Sequence, residues 1–261
     1  MSKIQVLVTT MFEKDLSKYK QMNLQTDAII ANQSDEYSYL KEDIDGSIAE
    51  LITTNTRGLS RNRNIAITCS SSEAEYILFS DDDLVFYDDY ERIILDEFAA
   101  HPEAQAIKFN LENKGIRKIS MSPIEKFKKA NIKNISSAGI WGLAIKREVL
   151  LNKSLNFNES FGAGTVNYCG EDTIFLQELL KKKVSFYLSP KYIADIYQGE
   201  STWNEGKNQK YFTVTGRVLK YIFPVFCYLL AIRSSYRFSK RENCNMKFFE
   251  ILKCYYKGMR K

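Results

Sequence analysis

Short apolar runs, each closed by polar or turn-forming residues, recur along most of the chain and alternate with amphipathic stretches. Residues 4–9, 27–31, 76–79, 104–110 and 184–188 are rich in β-branched and aromatic side chains and are predicted strands. Tyr76 to Phe79 is apolar at every position, which predicts a central strand covered on both faces rather than a half-exposed one. Helices are predicted over 11–22, 88–100 and 146–151. In 88–100, Ile93, Ile94, Leu95 and Phe98 face inward. Another helix follows Asp172, with Ile174, Phe175, Leu179 and Leu180 buried and Lys181 to Lys183 complementing its C-terminal dipole. Strand, helix, strand at the start of the chain predicts a parallel α/β sheet flanked by helices.

Other segments read less simply. Residues 37–44 alternate aromatic and polar positions and fit either a strand or an excursion, and 51–54 are β-prone. Gly58 precedes Ser60, a candidate cap for a helix carrying Arg61, Arg63 and Asn64 in its first turns. Residues 112–134 are Lys-rich and aperiodic, as expected of a surface excursion. Residues 157–164 form a glycine-punctuated loop, and 191–206 read as a polar loop holding Gln198 and Trp203.

Composition adds bounds to this picture. A chain of 261 residues, 44% hydrophobic and 26% charged, can bury a core of one main domain with an appendage. The apolar run after Met1 is too short for a secretory leader and reads as a first strand, which suits a cytoplasmic protein. The five cysteines are odd in number, scattered and without a C-x-x-C pair, consistent with reduced thiols. The net charge of +5 hides a division: residues 207–261 carry +11 and residues 1–206 carry −6. This splits the chain into a basic, partly apolar helical tail, 207–261, attracted to an anionic surface, either membrane or nucleic acid, and a body, 1–206, that binds something else. Within the tail, residues 221–232 are uncharged and flanked by Lys220 and Arg233. Twelve residues fall short of the roughly 20 that span a bilayer, so an interfacial helix on an anionic membrane or a helix docked on the body is expected. With no stacking platform identified, nucleic acid is not an expected partner.

The candidate chemistry is acidic. Asp81, Asp82 and Asp83 follow the 76–79 strand, and adjacent carboxylates repel unless a cation compensates them. Asp-x-Asp at a strand's carboxyl end offers hard oxygens suited to Mg²⁺ or Mn²⁺, against the simpler alternative of a solvated acidic turn. Arg61 and Arg63, in the first turns of the 60s helix, oppose its dipole, so an anion is expected nearby with a phosphate the natural candidate, against the simpler alternative that the two arginines are solvated or paired with carboxylates of the body. Gly139 and Gly142 flank Trp141, a pattern that suits close approach to a ligand, while Trp141 fits sugar stacking and core filling equally. Glu171 and Asp172 open a packed helix, where on their own they read as a dipole-complementing cap. His101, the only histidine, precedes a helix-ending Pro102 and reads as structural.

Taken in order, Gly58-Leu59-Ser60 with Arg63-Asn64, the strand ending in Asp81-Asp82-Asp83, Phe157-Asn158-Glu159 with Phe161-Gly162, Gly170-Glu171-Asp172, and Ser201-Thr202 resemble family 2 glycosyltransferases of GT-A fold, over roughly residues 3–205. The resemblance implies an inverting transfer from a nucleotide-sugar donor, a UDP-sugar first among them, to a glycan or lipid-linked acceptor. It implies Asp172 as catalytic base with Glu171 beside it. Donor contacts fall to Thr9, Thr10, Asn32, Arg63, Asn64, Asp81 and Asp82, and substrate contacts to Trp141, Gly142, Gly170 and Trp203. A Mn²⁺ or Mg²⁺ ion is expected on Asp81, Asp83 and Gln198. Asn32 stands where such enzymes often have an Asp reading uracil, and Gln198 where many have a His. The basic tail implies work at the inner face of the cell membrane. A sugar-phosphate nucleotidyltransferase would also use an acidic metal site, and a binding module without turnover is the third alternative.

Overall fold

The computed structural model describes residues 3–116, 122–135, 138–197, 199, 206–241 and 244–260. Gln198, Trp203 and the Ser201-Thr202 pair lie outside the described residues.

Strands β1 (Ile4–Met11), β2 (Asp27–Gln33), β4 (Ser47–Thr54) and β5 (Tyr76–Asp81) lie side by side in parallel, in the order β4-β2-β1-β5. The sheet continues through β9 (Leu143–Lys146), β7 (Ala106–Asn113), β10 (Phe186–Ile196) and β6 (Leu84–Phe86). It ends on the other side at β3 (Ser38–Ile44), and the short β8 (Lys128–Lys129) pairs with β10. The mostly parallel core of this sheet, covered by helices on both faces, is the GT-A arrangement expected from the motifs. Tyr76 through Ser80 are buried, because β5 has strands on both edges and apolar clusters on both faces.

Several boundaries differ from expectation, each for a local reason. The helix expected over 11–22 shrinks to α1 (Ser17–Gln21), because β1 stays in register with β2 as far as Met11 against Gln33. Asn32 then holds the following loop, accepting from the Glu13 N–H and donating to the Glu13 carbonyl. Residues 37–44 resolve as the edge strand β3, closed onto β4 by Asp45-Gly46, both at positive φ as a tight hairpin turn requires. Expected to stop before Pro190, the last strand instead passes through it and takes up the first part of the predicted polar loop. The register against β7 shifts between Leu188 and Ala194, the kind of irregularity at which a strand proline is tolerated. The 112–134 excursion is partly interior. Asn110 clamps the Ile124 backbone through both ends of its amide, and Ile124 and Ala130 join the core.

The remaining body helices are α2 (Leu59–Thr68), α3 (Tyr90–Ala100), α4 (Ile132–Ile135), α5 (Arg147–Asn152) and α6 (Glu171–Lys181). His101 caps the end of α3 and stacks on Phe127, the structural role expected.

The tail folds as α7 (Gln209–Ile222), α8 (Cys227–Ser239) and α9 (Phe248–Met259). The 221–232 run is therefore not one helix: α7 ends at Ile222, Pro224 lies in the turn, and Cys227 and Ala231 are buried. The three helices share a core of Phe212, Cys227, Ala231, Ile251, Tyr255 and Met259. Backbone contact between α7 and α9 is permitted by two glycines. A Cβ on Gly216 would lie 2.4 Å from the Tyr255 carbonyl oxygen, and one on Gly258 would lie 2.0 Å from that of Thr213. Among the described residues, no helix is long and apolar enough to cross a membrane.

Gly258→Val forces α9 off α7 and is expected to cost about 1–3 kcal/mol. Urea unfolding of the full chain reads this, with the loss appearing first in the tail helices.

Candidate functional site

The carboxyl ends of β1 and β5 adjoin, with Thr9 opposite Asp81 in the register. Thr9 Oγ1 donates to Asp81 Oδ1 at 3.2 Å and Thr10 Oγ1 to Asp82 Oδ2 at 2.6 Å, so the two threonines orient two of the three strand-end carboxylates. The Asp83 carbonyl accepts from the Tyr197 N–H, which fixes the turn into β6 against the end of β10.

Helix α2 approaches this end of the sheet by its N-terminus. Gly58, at φ 115°, precedes it, and a Cβ on Gly164 would lie 3.1 Å from Gly58 Cα, so two left-handed glycines let the backbones touch. The Leu59 N–H donates to the Ala163 carbonyl, and Ser60 Oγ donates to the Phe161 carbonyl at 2.6 Å. Ser60 is thus a bolt to the 157–164 loop and not the helix cap its sequence suggested. Asn64 fastens the same loop, accepting from the Phe157 N–H and donating to its carbonyl and to Glu159. Arg61 pairs with Glu159 at 2.9 Å on the surface.

Arg63 is the centre of the arrangement. Its side chain is 3% exposed, with Nη2 donating to Asp81 Oδ1 at 2.8 Å and Nη1 to Asp172 Oδ1 at 2.5 Å. Phe157 covers the guanidinium face, 5.1 Å from ring centroid to Cζ. The anion expected near Arg63 is therefore present as two protein carboxylates. Burial alone would lower the Arg63 pKa, but Asp172 and Asp81 more than offset it and raise the value, so the cation is secure.

Asp172 and Glu171 open α6 after Gly170, which is left-handed at φ 101°. Asp172 Oδ2 accepts from the Ile140 N–H at 3.2 Å, so both carboxylate oxygens are oriented while a fifth of the side chain stays open. Glu171 Oε2 is buried with no hydrogen-bond partner. Burial first, and the neighbouring Asp172 second, push its carboxyl well above the usual carboxylate range, to about 7.

The 139–142 segment forms the adjoining wall. Gly139 lies under the Trp141 ring, where a Cβ would come within 2.3 Å of it. Trp141 is half-buried and packs on the core, while Gly142 is enclosed between the Phe79 carbonyl and the Phe109 N–H as β9 begins. Lys108 on β7 donates to the Trp141 carbonyl and lies 4.8 Å from its ring centroid. Sequence reasoning missed Lys108. The signal was there, a lone lysine inside the apolar strand AIKFNL. At 1% exposure its ammonium pKa is pushed down to about 7 by burial, with Asp172 pulling the other way.

The expected residues thus divide. Arg63, Asp81, Asp172 and the two threonines meet at one place, with Asp82, Asp83 and Glu171 adjoining. Asn32, buried, spends its amide on Glu13 and Thr53; Asn64 holds the 157–159 loop. Gly142 and Gly170 serve close backbone packing, Gly170 against Val218 of α7, where a Cβ would lie 2.4 Å away. Among the described residues no group of three or more His, Cys, Asp or Glu could hold a metal ion, so a cation on Asp81 and Asp83 needs further oxygens from a ligand. Two carboxylates completed by diphosphate oxygens are a donor set that fits Mg²⁺ or Mn²⁺.

The model of glycosyl transferase family 2 matches residues 29–153. Among solved structures, S. aureus TarS 1–349 in complex with UDP-GlcNAc superposes with a TM-score of 0.63 at 12% identity, over 92% of this chain and 73% of that one. The longer S. aureus TarS chain matches with a TM-score of 0.63 at 13% identity, over 93% of this chain and 44% of that one. TarS 1–349 in complex with UDP matches with a TM-score of 0.60 at 12% identity, over 99% of this chain and 71% of that one. No curated protein matches the sequence. At these identities the structural likeness establishes the fold.

Arg63→Met leaves two carboxylates facing each other around an emptied site and is expected to cost about 3–5 kcal/mol of stability, read by urea unfolding at neutral pH. Glu171 gives a signed pH effect. Its native pKa lies above the ordinary 4.5, so the fold binds the protonated form better. Its favourable contribution is present below pH 4.5 and is lost as pH rises to about 7. Glu171→Gln is therefore expected to gain stability relative to the parent as pH rises across that window, in thermal melts.

Proposed function

The chain carries a glycosyl transferase family 2 domain, matched over residues 29–153, and from that premise we propose an inverting, metal-dependent transfer of a sugar from a nucleotide-sugar to the hydroxyl of a glycan or lipid-linked acceptor. One observation carries the reading: a single buried guanidinium joins a strand-end carboxylate, Asp81, to a helix-opening carboxylate, Asp172. Groups suited to the two ends of the reaction therefore lie within the reach of one side chain. The donor is proposed to be a UDP-sugar, which the UDP and UDP-GlcNAc bound to TarS support.

Each residue has a role that follows from its surroundings. Asp81 and Asp83 would hold Mn²⁺ or Mg²⁺ together with the donor diphosphate, the ion neutralising charge on the leaving nucleoside diphosphate. Thr9 and Thr10 orient the carboxylates at that strand end, and Arg63 adds positive charge beside it. Asp172 takes the acceptor proton at a carboxylate oxygen, on the face of the sugar opposite the leaving group, which gives inversion. Arg63 and the Ile140 N–H hold that carboxylate in place before the acceptor arrives. Glu171, with an unpartnered oxygen and a raised pKa, can donate to or accept from an acceptor hydroxyl and so orient it. Asn32 and Asn64 shape the cleft through the loops they fasten. Trp141 lines its wall, and Gln198 and Trp203 remain proposed contacts for the metal and the substrate. The basic tail would keep the enzyme at the anionic inner face of the membrane, where lipid-linked acceptors reside.

Asp172→Asn should reduce transfer by at least about a hundredfold while donor binding, read by calorimetry with Mn²⁺, is retained. Full turnover by this variant removes Asp172 from the mechanism. Asp83→Ala should lose the metal-dependent part of donor affinity, and an affinity equal to the parent's with and without Mn²⁺ would make the acidic cluster structural.

A further inference from the structure

The tail presents two faces of opposite character. Its inner face is occupied: Val218 and Ile222 of α7 pack with Phe161 and Ile174, against the loop and helix that carry Glu171 and Asp172. Helix α8 turns Cys227, Ala231 and Ser235, each fully buried and four residues apart, toward the other tail helices. On the opposite side of α8 and the turn before it, Val225, Phe226, Leu229, Ile232 and Tyr236 are exposed by 42–77%. Their spacing places them along one side of the helix. Arg233, Arg237 and Lys240 are exposed beside them. From Lys207 to Arg241 there are eight Lys or Arg and no Asp or Glu.

An apolar stripe bordered by cations and free of carboxylates restricts what can cover it. A second copy meeting the same face about a two-fold axis would set Arg233 and Arg237 near their own symmetry mates, which like-charge repulsion opposes. Nucleic acid would satisfy the cations but leave Val225, Leu229 and Ile232 against a charged backbone. Anionic lipid satisfies both, because the apolar side chains enter the headgroup and acyl boundary while the cations meet phosphate oxygens. We propose that the outer face of α8, with the 223–226 turn, is the surface by which the protein inserts into an anionic bilayer. This deepens the membrane-surface reading above and rests on it. Since α7 lies between α8 and the Gly170–Asp172 turn, seating this face on lipid holds the proposed base one helix away from the bilayer. That arrangement suits an acceptor whose lipid portion stays in the membrane.

Co-sedimentation of the full chain with vesicles tests this, using phosphatidylcholine alone and phosphatidylcholine mixed with phosphatidylglycerol. The chain should bind only the mixed vesicles, and Leu229→Glu with Ile232→Glu should weaken binding by about tenfold or more, with the thermal melt unchanged because both sites are exposed. Arg233→Gln with Arg237→Gln should weaken binding and flatten its salt dependence. Phe226→Trp should gain an emission component quenched by brominated acyl chains. If the double Glu variant binds as tightly as the parent, this face is not the insertion surface, even where the tail binds lipid elsewhere. Failure of the parent to bind mixed vesicles overturns the membrane reading as a whole. A concentration-dependent dimer that the Glu variant abolishes assigns the face to a second copy instead. Transfer to a soluble acceptor, measured alongside, reports on the glycosyltransferase reading separately.

Discussion

The buried guanidinium of Arg63 is the constraint on which the site depends. Placing a cation at 3% exposure carries a desolvation penalty that only close opposite charge can offset, and Asp81 and Asp172 supply it from segments 91 residues apart in sequence. The converse also holds. Two carboxylates this near one another at the end of a hydrophobic sheet would repel without the positive charge between them. Glu171, one residue from Asp172, has one oxygen buried without a hydrogen-bond partner, and burial together with the Asp172 charge outweighs the pull of Arg63, so its proton is held more tightly.

Arg63 reaches both acids only because α2 is pinned by its first residues. Gly58 and Gly164 permit the backbones to meet, Ser60 bonds the Phe161 carbonyl, and Asn64 clasps Phe157. The loop that these residues hold leads directly into Gly170 and α6. On its far side the same loop and helix receive α7, with Val218 occupying the space that a side chain at position 170 would need. A continuous packed path therefore runs from the strand-end carboxylates, through α2 and the 157–172 segment, into the tail. The proposed base and the proposed membrane face are thus joined through packed contacts, although nearly sixty residues separate Asp172 from Leu229.

Much of this was legible in the residues taken one after another. Apolar runs ending in polar clusters identified β1, β2, β5 and β7, because a buried strand needs hydrophobic side chains whatever its neighbours are. The charge division separated the tail from the body, and the acidic triplet at 81–83 and pair at 171–172 stood out because like charges side by side call for compensation. Less was visible where a boundary depends on a partner. Helix α1 is short because β1 keeps pairing with β2, and β10 passes Pro190 because a register shift against β7 absorbs it. Lys108 is not legible in the same way, because periodicity treats a lone charge in a strand as noise, whereas burial makes it a shifted amine against Trp141.

The sequence by itself determined which segments would be buried, which groups carried charge, and which family the motifs resemble. These follow from side-chain chemistry and short-range spacing. Only the tertiary structure decided that Arg63 pairs with two protein carboxylates drawn from distant segments. It also decided that Asn32, Asn64, Gly142 and Gly170 hold backbone together, and that one face of α8 is left open while the other is filled. Such outcomes depend on which distant surfaces come within hydrogen-bonding or van der Waals range, a matter of three-dimensional closure that no local pattern encodes.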